Sequence, residues 1–194
     1  MTKIGIFGGS FDPITIAHLK VCEEALKYLD EIWILPCYVS LFGKNLTDAN
    51  HRLKMCKMSL RDYNHKIKIC DFEIINKIEN SSTFEIIKLL IENYNLDLTN
   101  LYFIIGSDNL INLNKFKNYD ELVTKLKFIV IPRANNYYHI DNNLYKDINY
   151  ILVNCVCIDG SSTMVRNNFE NNQNLLLENV KEYIIKNNLY NIKK

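Results

Sequence analysis

Residues 5 to 18 read Gly5-Ile6-Phe7-Gly8-Gly9-Ser10-Phe11-Asp12-Pro13-Ile14-Thr15-Ile16-Ala17-His18. The apolar residues before the paired glycines have the composition of a short buried strand, and Pro13 fixes one backbone angle in the turn that follows. Glycines at the end of a strand let the backbone approach a ligand closely, and the free N–H groups at the start of a helix favour a phosphate. The stretch therefore predicts a strand, a phosphate-binding turn and a helix that opens close to His18.

Short apolar runs and stretches of helical periodicity alternate through the rest of the chain. Strand followed by helix, repeated, favours a parallel sheet covered on both faces. We therefore predict one α/β domain over residues 1–194, with a Rossmann-like doubly wound parallel sheet and helices on both of its faces. The predicted strands are Lys3–Phe7, Glu31–Pro36, Ile67–Ile74, Leu101–Ile105, Phe128–Pro132 and Tyr150–Ile158; the predicted helices are His18–Leu29, Arg52–Leu60, Phe84–Tyr94, Tyr119–Leu126 and Leu175–Ile185; and the predicted loops are Cys37–Asn50 and Ala134–Asn149.

Charge and hydropathy argue against two classes of partner. The formal net charge is +1, whereas proteins that bind nucleic acid usually carry a basic excess. No apolar run reaches the roughly 18 residues of a membrane span, and the N-terminus lacks the apolar region and cleavage site of a signal peptide. We therefore expect no nucleic acid and no membrane among the partners, and a cytoplasmic location with the nucleus as the alternative.

A second phosphate-binding pattern lies near the C-terminus, in the run Asp159-Gly160-Ser161-Ser162-Thr163-Met164-Val165-Arg166. Hydroxyls and free N–H groups converge where such a run opens a helix, and Arg166 falls within the first turn. In the first motif, Thr15 precedes His18 by three residues, so both side chains could face one phosphate. An imidazole N–H or a hydroxyl can donate to a phosphoryl oxygen as charge develops there.

The two motifs together resemble the signatures of the nucleotidylyltransferase superfamily. The run Gly9-Ser10-Phe11-Asp12-Pro13 and the element Thr15-Ile16-Ala17-His18 match the first signature, and Ser161-Ser162-Thr163 with Arg166 matches the second. Ala17 stands where the superfamily usually has glycine, and its methyl group is expected to narrow the approach between backbone and ligand.

The middle of the chain is similar to the nicotinate or nicotinamide mononucleotide adenylyltransferases of that superfamily. The matching segments are Asp30–Pro36, the loop that holds Lys44, Arg52-Leu53-x-Met55, Ser82-Thr83-Phe84-Glu85, Ile105-Gly106-Ser107-Asp108 with Phe116, and Ile131-Pro132-Arg133. The resemblance implies roles for individual residues. They are His18, Thr15, Lys44 and Arg166 for catalysis; Gly8, Gly9, Ser10, Phe11, His18, Gly106, Asp108, Ser162, Thr163 and Arg166 for ATP; and Gly9, Ser10, Lys44, Thr83, Phe116 and Arg133 for the mononucleotide.

The resemblance implies a reaction as well. AMP would pass from ATP to nicotinate mononucleotide, giving deamido-NAD and pyrophosphate, with Mg²⁺ brought in by ATP and no metal ligands from the protein. The protein would act as a monomer or homo-oligomer. Nicotinamide mononucleotide is the alternative substrate, and phosphopantetheine adenylyltransferase is the nearest rival enzyme, because Ile14, Thr15 and His18 also match its motif.

Two further classes of function fit the sequence less well. A noncatalytic nucleotide sensor would be expected to lose His18, Lys44 or Arg166, and all three are present. An NAD-dependent oxidoreductase would be expected to carry Gly-x-Gly-x-x-Gly followed by an acidic residue that binds the ribose. The glycine spacing here is different, and no such acidic residue follows the second strand.

Overall fold

The computed structural model describes residues 1–40, 43, 45–61, 63–133, 145–155 and 160–191. Its core is a six-stranded sheet in the order β3-β2-β1-β4-β5-β6, in which every neighbouring pair is parallel. The strands are β1 (Ile4–Gly9), β2 (Glu31–Pro36), β3 (Ile67–Ile69), β4 (Leu101–Gly106), β5 (Lys127–Ile131) and β6 (Tyr150–Leu152). The helices are α1 (Ile16–Ala25), α2 (Ala49–Ser59), α3 (Phe72–Ile75), α4 (Thr83–Tyr94), α5 (Ser107–Ile111), α6 (Tyr119–Lys125), α7 (Ser162–Asn167) and α8 (Glu178–Lys186).

Two hydrophobic clusters cover the two faces of the sheet. Side chains alternate along each strand, so that Ile104 packs in one cluster while its neighbours Phe103 and Ile105 pack in the other. Helices α1, α2 and α8 bury their apolar side chains on the Ile104 face, and α4 and α6 bury theirs on the opposite face. The doubly wound fold with helices on both faces is confirmed. The prediction of one domain over residues 1–194 stays a prediction.

The order of the strands fixes where a ligand can bind. β1 pairs with β2 on one side and with β4 on the other, so the chain switches direction in the sheet at β1. In open α/β sheets of this kind, ligands bind in the crevice beyond the carboxyl ends of the strands at that switch point. The residues at this edge are Gly9, which ends β1, and Gly106, which ends β4.

Several predicted boundaries were wrong or fall outside the described residues. The predicted strand Ile67–Ile74 pairs only over Ile67–Ile69 and is followed by the short helix α3. The last helix begins at Glu178 and not at Leu175, which lies in a 3₁₀ segment. In the final strand, residues 156–158 lie outside the described part of the chain, as does most of the predicted loop Ala134–Asn149. In the part of the chain that the structure describes, no helix is long and apolar enough to cross a membrane.

Candidate active site

His18 lies in the first turn of α1, and its ring is held by the residue that caps the helix. The Thr15 N–H donates to His18 Nδ1 at 3.0 Å. An amide N–H can only donate, so Nδ1 is an acceptor and the neutral ring carries its hydrogen on Nε2. Burial and the positive charge of Arg133 lower the pKa of His18 to about 3. His18 is therefore a neutral hydrogen-bond donor at physiological pH.

Two residues assigned to this corner from the sequence support His18 and have no open face of their own. The Thr15 hydroxyl lies 2.8 Å from His18 Nδ1, and Thr15 is buried, so this side chain orients the imidazole where it had been expected to face a phosphate. Phe11 is 2% exposed and packs edge-on against the imidazole with ring centroids 5.1 Å apart. The Phe11 side chain therefore has no face that is open to a ligand.

The C-terminal motif docks directly onto the first motif. Ser161 caps α7 by accepting a hydrogen bond from the Met164 N–H. The Ser162 hydroxyl donates to the carbonyl of Pro13 at 2.8 Å, and Arg166 donates to the carbonyl of Asp12 at 2.7 Å. These bonds join the two phosphate-binding patterns into one corner of the molecule.

Ala17, which stands where the superfamily usually has glycine, packs against the second motif. Ala17 is buried, and a Cβ built on Gly160 would lie 3.4 Å from the Ala17 Cβ. The methyl group therefore points at the glycine of the second motif, which has no side chain to collide with it. The expectation that Ala17 narrows the approach of the ligand is not supported by this position.

A cavity of about 250 Å³ opens beside this corner. Its walls come from the carboxyl ends of β1 and β4, the segment after β2, and the first turns of α4, and it lies near the lower end of the size range of small-molecule sites. Among the residues assigned from the sequence, the cavity is lined by Gly8, Gly9, Ser10, Thr83 and Phe116.

Gly106, Asp108 and Arg133 form a second group at the end of β4. A Cβ on Gly106 would lie 2.3 Å from Asp108 Oδ1, so only glycine leaves room for this carboxylate. Asp108 Oδ1 is 3.5 Å from Arg133 Nε, and no hydrogen-bond donor within the described residues reaches it. Oδ1 itself is buried, but the Asp108 side chain as a whole is 39% exposed, so a ligand can approach the rest of the carboxylate. Arg133 lies beside this carboxylate and acts electrostatically on His18.

Comparison with known proteins identifies the family to which the chain belongs. A cytidylyltransferase-like family model matches residues 6–168. The nicotinate-nucleotide adenylyltransferase of Bacillus subtilis is 34% identical over 200 aligned residues, which cover 98% of this chain and 99% of that protein. The chain belongs to the nicotinate-nucleotide adenylyltransferase family.

Solved structures of the family have the same architecture. A Plasmodium falciparum nicotinic acid mononucleotide adenylyltransferase complexed with NaAD superposes with a TM-score of 0.84 at 28% identity, covering 100% of this chain and 99% of that one. A Plasmodium falciparum structure complexed with APC superposes with a TM-score of 0.81, with the same identity and coverage.

In this family member, Arg52 holds the backbone around the cavity, a role that the sequence did not reveal. Arg52 is fully buried in α2, and each of its guanidinium nitrogens donates to a backbone carbonyl. The acceptors, each at 2.8 Å, are Ser10, Cys37, Tyr38 and Thr47. Arg52 therefore joins the turn after β1 to the segment after β2. Lys44, assigned to catalysis from the sequence, lies outside the described residues.

Two carboxylates near the site also lacked an assigned role. Glu73 lines the cavity, and burial raises its pKa to about 7 although the Tyr38 N–H and the Arg52 guanidinium act against that rise. Asp12 is 1% exposed. Its Oδ2 accepts from the Thr47 N–H at 3.1 Å, and its Oδ1 accepts from the Tyr190 hydroxyl at 2.7 Å.

Proposed function

We propose that this protein transfers AMP from ATP to nicotinate mononucleotide, giving deamido-NAD and pyrophosphate in NAD biosynthesis. The observation that carries the proposal is the docking of the two phosphate motifs, through Ser162 and Arg166, beside a cavity lined by Thr83 and Phe116. The relatives named above support it. We also propose a cytoplasmic location, with the nucleus as the alternative.

The proposed reaction is a single displacement at phosphorus. A phosphate oxygen of the mononucleotide forms a bond to the α-phosphorus of ATP, and the bond from that phosphorus to the bridging oxygen of pyrophosphate breaks. The nucleophile is already ionised near neutral pH, so no strong base is required, and catalysis consists of alignment and charge stabilisation. His18 would donate from Nε2 to the α-phosphate, which fits its neutral state.

The cations and small residues around His18 would hold the phosphates. We assign Arg166 and Lys44 to the triphosphate and the leaving group, with Ser162 and Thr163 beside them. Arg133, whose charge acts on His18, would hold the phosphate of the mononucleotide. Gly8, Gly9, Ser10 and the backbone of Phe11 would form the floor under both substrates.

The two ends of the dinucleotide product would occupy the two groups of residues at the carboxyl edge. Asp108 would accept hydrogen bonds from the adenosine ribose, since its side chain is 39% exposed and Gly106 leaves room for the carboxylate. Phe116 would stack on the pyridine ring. We propose that the N–H of Thr83, at the start of α4, binds the nicotinate carboxylate.

The charge of the triphosphate would be offset by Mg²⁺ that arrives with ATP. Asp12 is not a suitable ligand for it, because the residue is only 1% exposed and its carboxylate is held by two protein hydrogen bonds. Phosphate oxygens and water would therefore hold the ion. This assignment rests on the chemistry of ATP and involves no step of its own.

Steady-state kinetics test the proposed function directly. Purified protein is supplied with ATP and, in parallel, with nicotinate mononucleotide, nicotinamide mononucleotide or phosphopantetheine, and pyrophosphate release is followed. Release should require ATP together with a pyridine mononucleotide, with the nicotinate form preferred. Comparable turnover with phosphopantetheine would transfer the assignment to that rival enzyme, and no turnover with any acceptor would favour a nucleotide sensor.

A further inference from the structure

The last described segment of the chain reaches back to the first phosphate motif. Tyr190 follows α8 in a 3₁₀ turn, and its hydroxyl donates to Asp12 Oδ1 at 2.7 Å. The two residues are 178 positions apart in the chain. Burial and the Asp12 carboxylate raise the pKa of Tyr190, so its hydroxyl keeps the hydrogen that it donates.

Asp12 connects this tyrosine to the residues that meet the substrate. It lies in the turn between β1 and α1, two positions after Ser10 and three before Thr15, and its own carbonyl accepts from Arg166. Its second carboxylate oxygen accepts from the Thr47 N–H, and the Thr47 carbonyl accepts from the buried Arg52. A shift of the Asp12 carboxylate would therefore move the turn that leads directly to His18.

The backbone of Tyr190 also indicates that its position is specified by this contact. Its φ is 63° and its ψ is 33°, which is the left-handed region that bulky residues seldom occupy. A residue in that region must be held by its surroundings. Two contacts keep Tyr190 in this conformation. Its hydroxyl donates to Asp12, and its ring packs against the hydrophobic cluster on the Ile104 face of the sheet.

We propose that Tyr190 is a positioning residue of the active site, which acts through the Asp12 carboxylate to fix the turn that carries Ser10, Thr15 and His18. This proposal rests on the function proposed above. Tyr190 itself contacts no reacting atom. Its contribution is to keep the phosphate-binding turn in the arrangement that the transition state requires, where small misplacements lower the rate sharply.

The test compares two tyrosines of the C-terminal region. Tyr190→Phe removes only the hydroxyl that reaches Asp12. Tyr183→Phe removes a hydroxyl whose partner, at 2.9 Å, is His51 Nδ1 and not a residue of either phosphate motif. We expect Tyr190→Phe to lower kcat about 10-fold while the KM values for ATP and mononucleotide change less than about twofold. Tyr183→Phe should keep the wild-type kcat. Assays are run well below the melting temperature of each variant, with the folded fraction measured by circular dichroism.

A double-mutant cycle separates positioning from general stability. If Tyr190 acts through Asp12, the effects of Tyr190→Phe and Asp12→Asn on kcat will not be additive. A kcat for Tyr190→Phe within twofold of wild type would overturn the proposal. The same holds for a loss that only follows the folded fraction, or for independent effects in the cycle.

Amide hydrogen exchange distinguishes failure of this proposal from failure of the proposed function. Tyr190→Phe should speed exchange at residues 10–18, and Tyr183→Phe should not, whatever substrate the enzyme uses. If wild-type protein is inactive with every pyridine mononucleotide but exchange changes as expected, the function is wrong and the structural link stands. Unchanged exchange at residues 10–18 in Tyr190→Phe would overturn the link itself.

Discussion

At the scale of single residues, the proposed chemistry depends on which nitrogen of His18 carries a hydrogen. The Thr15 amide occupies Nδ1, and a pKa of about 3 keeps the ring neutral. The ring can therefore donate from Nε2 at every pH at which the protein is expected to work, but it has no second proton to give. A hydrogen-bond donor suits this reaction, because no proton has to be transferred to the leaving group for the displacement to occur.

Removal of this donor should act mainly on the rate. His18→Ala should lower kcat by about 100-fold or more, the usual effect of losing one transition-state donor, while the Kd for ATP changes much less. Steady-state kinetics and equilibrium ATP binding measure the two effects. His51→Ala is the matched control, since the imidazole of His51 is bonded to the Tyr183 hydroxyl and not to a residue of either phosphate motif. An unchanged kcat in His18→Ala would remove His18 from the mechanism.

Phe116 offers a test on the mononucleotide side alone. It lines the cavity together with Thr83, and stacking of one aromatic ring is worth about 1 kcal/mol. Phe116→Ala should therefore raise the KM for the mononucleotide about fivefold and leave the KM for ATP nearly unchanged. A variant that loses only thermal stability, with both KM values intact, would show that Phe116 is a core residue.

The sequence predicted which residues gather at the site better than it predicted how they are used. His18, Arg166 and Gly9 stand out because their spacing follows strand ends and helix starts. Arg52 and Tyr190 do not stand out, because the partners of Arg52 are backbone carbonyls and the partner of Tyr190 is 178 positions away. Every residue carries a backbone carbonyl, whatever its type. The sequence therefore gives no sign of which carbonyls accept a hydrogen bond.

At the scale of elements, the start of α4 is where we propose that the protein distinguishes the two pyridine substrates. Ser82 and Glu85 form a reciprocal cap in which the Glu85 N–H is already bonded to the Ser82 hydroxyl. Thr83 is the first residue of the helix and lines the cavity. An N–H at this position favours an anion, and a carboxylate gains charge-assisted bonds that a neutral amide cannot form.

Two substitutions at Thr83 separate its backbone from its side chain. Thr83→Ala keeps the N–H, whereas Thr83→Pro removes it at the one helical position where proline is well tolerated, after a Ser82 whose extended backbone suits a following proline. Wild type and Thr83→Ala should prefer nicotinate over nicotinamide mononucleotide by about 30- to 150-fold in kcat/KM, or roughly 2–3 kcal/mol. Thr83→Pro should bring the ratio close to unity. A ratio that Thr83→Pro leaves intact would mean that other donors read the carboxylate.

The strand predicted over residues 67–74 was too long, and the neighbouring strand explains why. Residues 67–74 are apolar enough for a long strand, but β3 lies at the edge of the sheet and pairs with β2 alone. Beyond Ile69, the neighbouring strand reaches Pro36, which has no N–H to continue the ladder. The chain therefore leaves the sheet and forms α3. Tertiary pairing of this kind overrides local propensity.

At the scale of the whole molecule, two titrating groups give the stability opposite dependences on pH. His18 has a pKa near 3 when folded, against 6.5 as its ordinary value, so the unfolded chain binds more protons and the stability falls as the pH drops below 6.5. Glu73 has a pKa near 7 when folded, against 4.5 as its ordinary value, so the folded chain binds more protons. Its contribution to the stability is therefore fully present below pH 4.5 and is lost as the pH rises through 7. Between 4.5 and 6.5 the two slopes oppose each other.

Single variants should show separately how His18 and Glu73 change the free energy of unfolding with pH. His18→Gln removes the loss of stability that His18 causes at low pH and keeps the stabilising effect of Glu73. Its free energy of unfolding should therefore rise relative to wild type as the pH is lowered from 7 to 4.5. Glu73→Gln removes the stabilising effect of Glu73 at low pH and keeps the destabilising effect of His18. Its free energy of unfolding should therefore fall relative to wild type over the same range. Urea unfolding at a series of pH values measures both. Curves parallel to wild type for both variants would contradict the shifted pKa values.

The bond between Tyr190 and Asp12 has a consequence for how the enzyme is made. The ribosome synthesises the phosphate-binding turn first and adds its distant partner 178 residues later. At about 5–20 residues per second this interval lasts roughly 9–36 s. A nascent chain still attached before position 190 can form β1 and α1, but it lacks the hydroxyl that fixes Asp12. Newly made chains should therefore acquire full activity only after residue 190 has emerged from the ribosome.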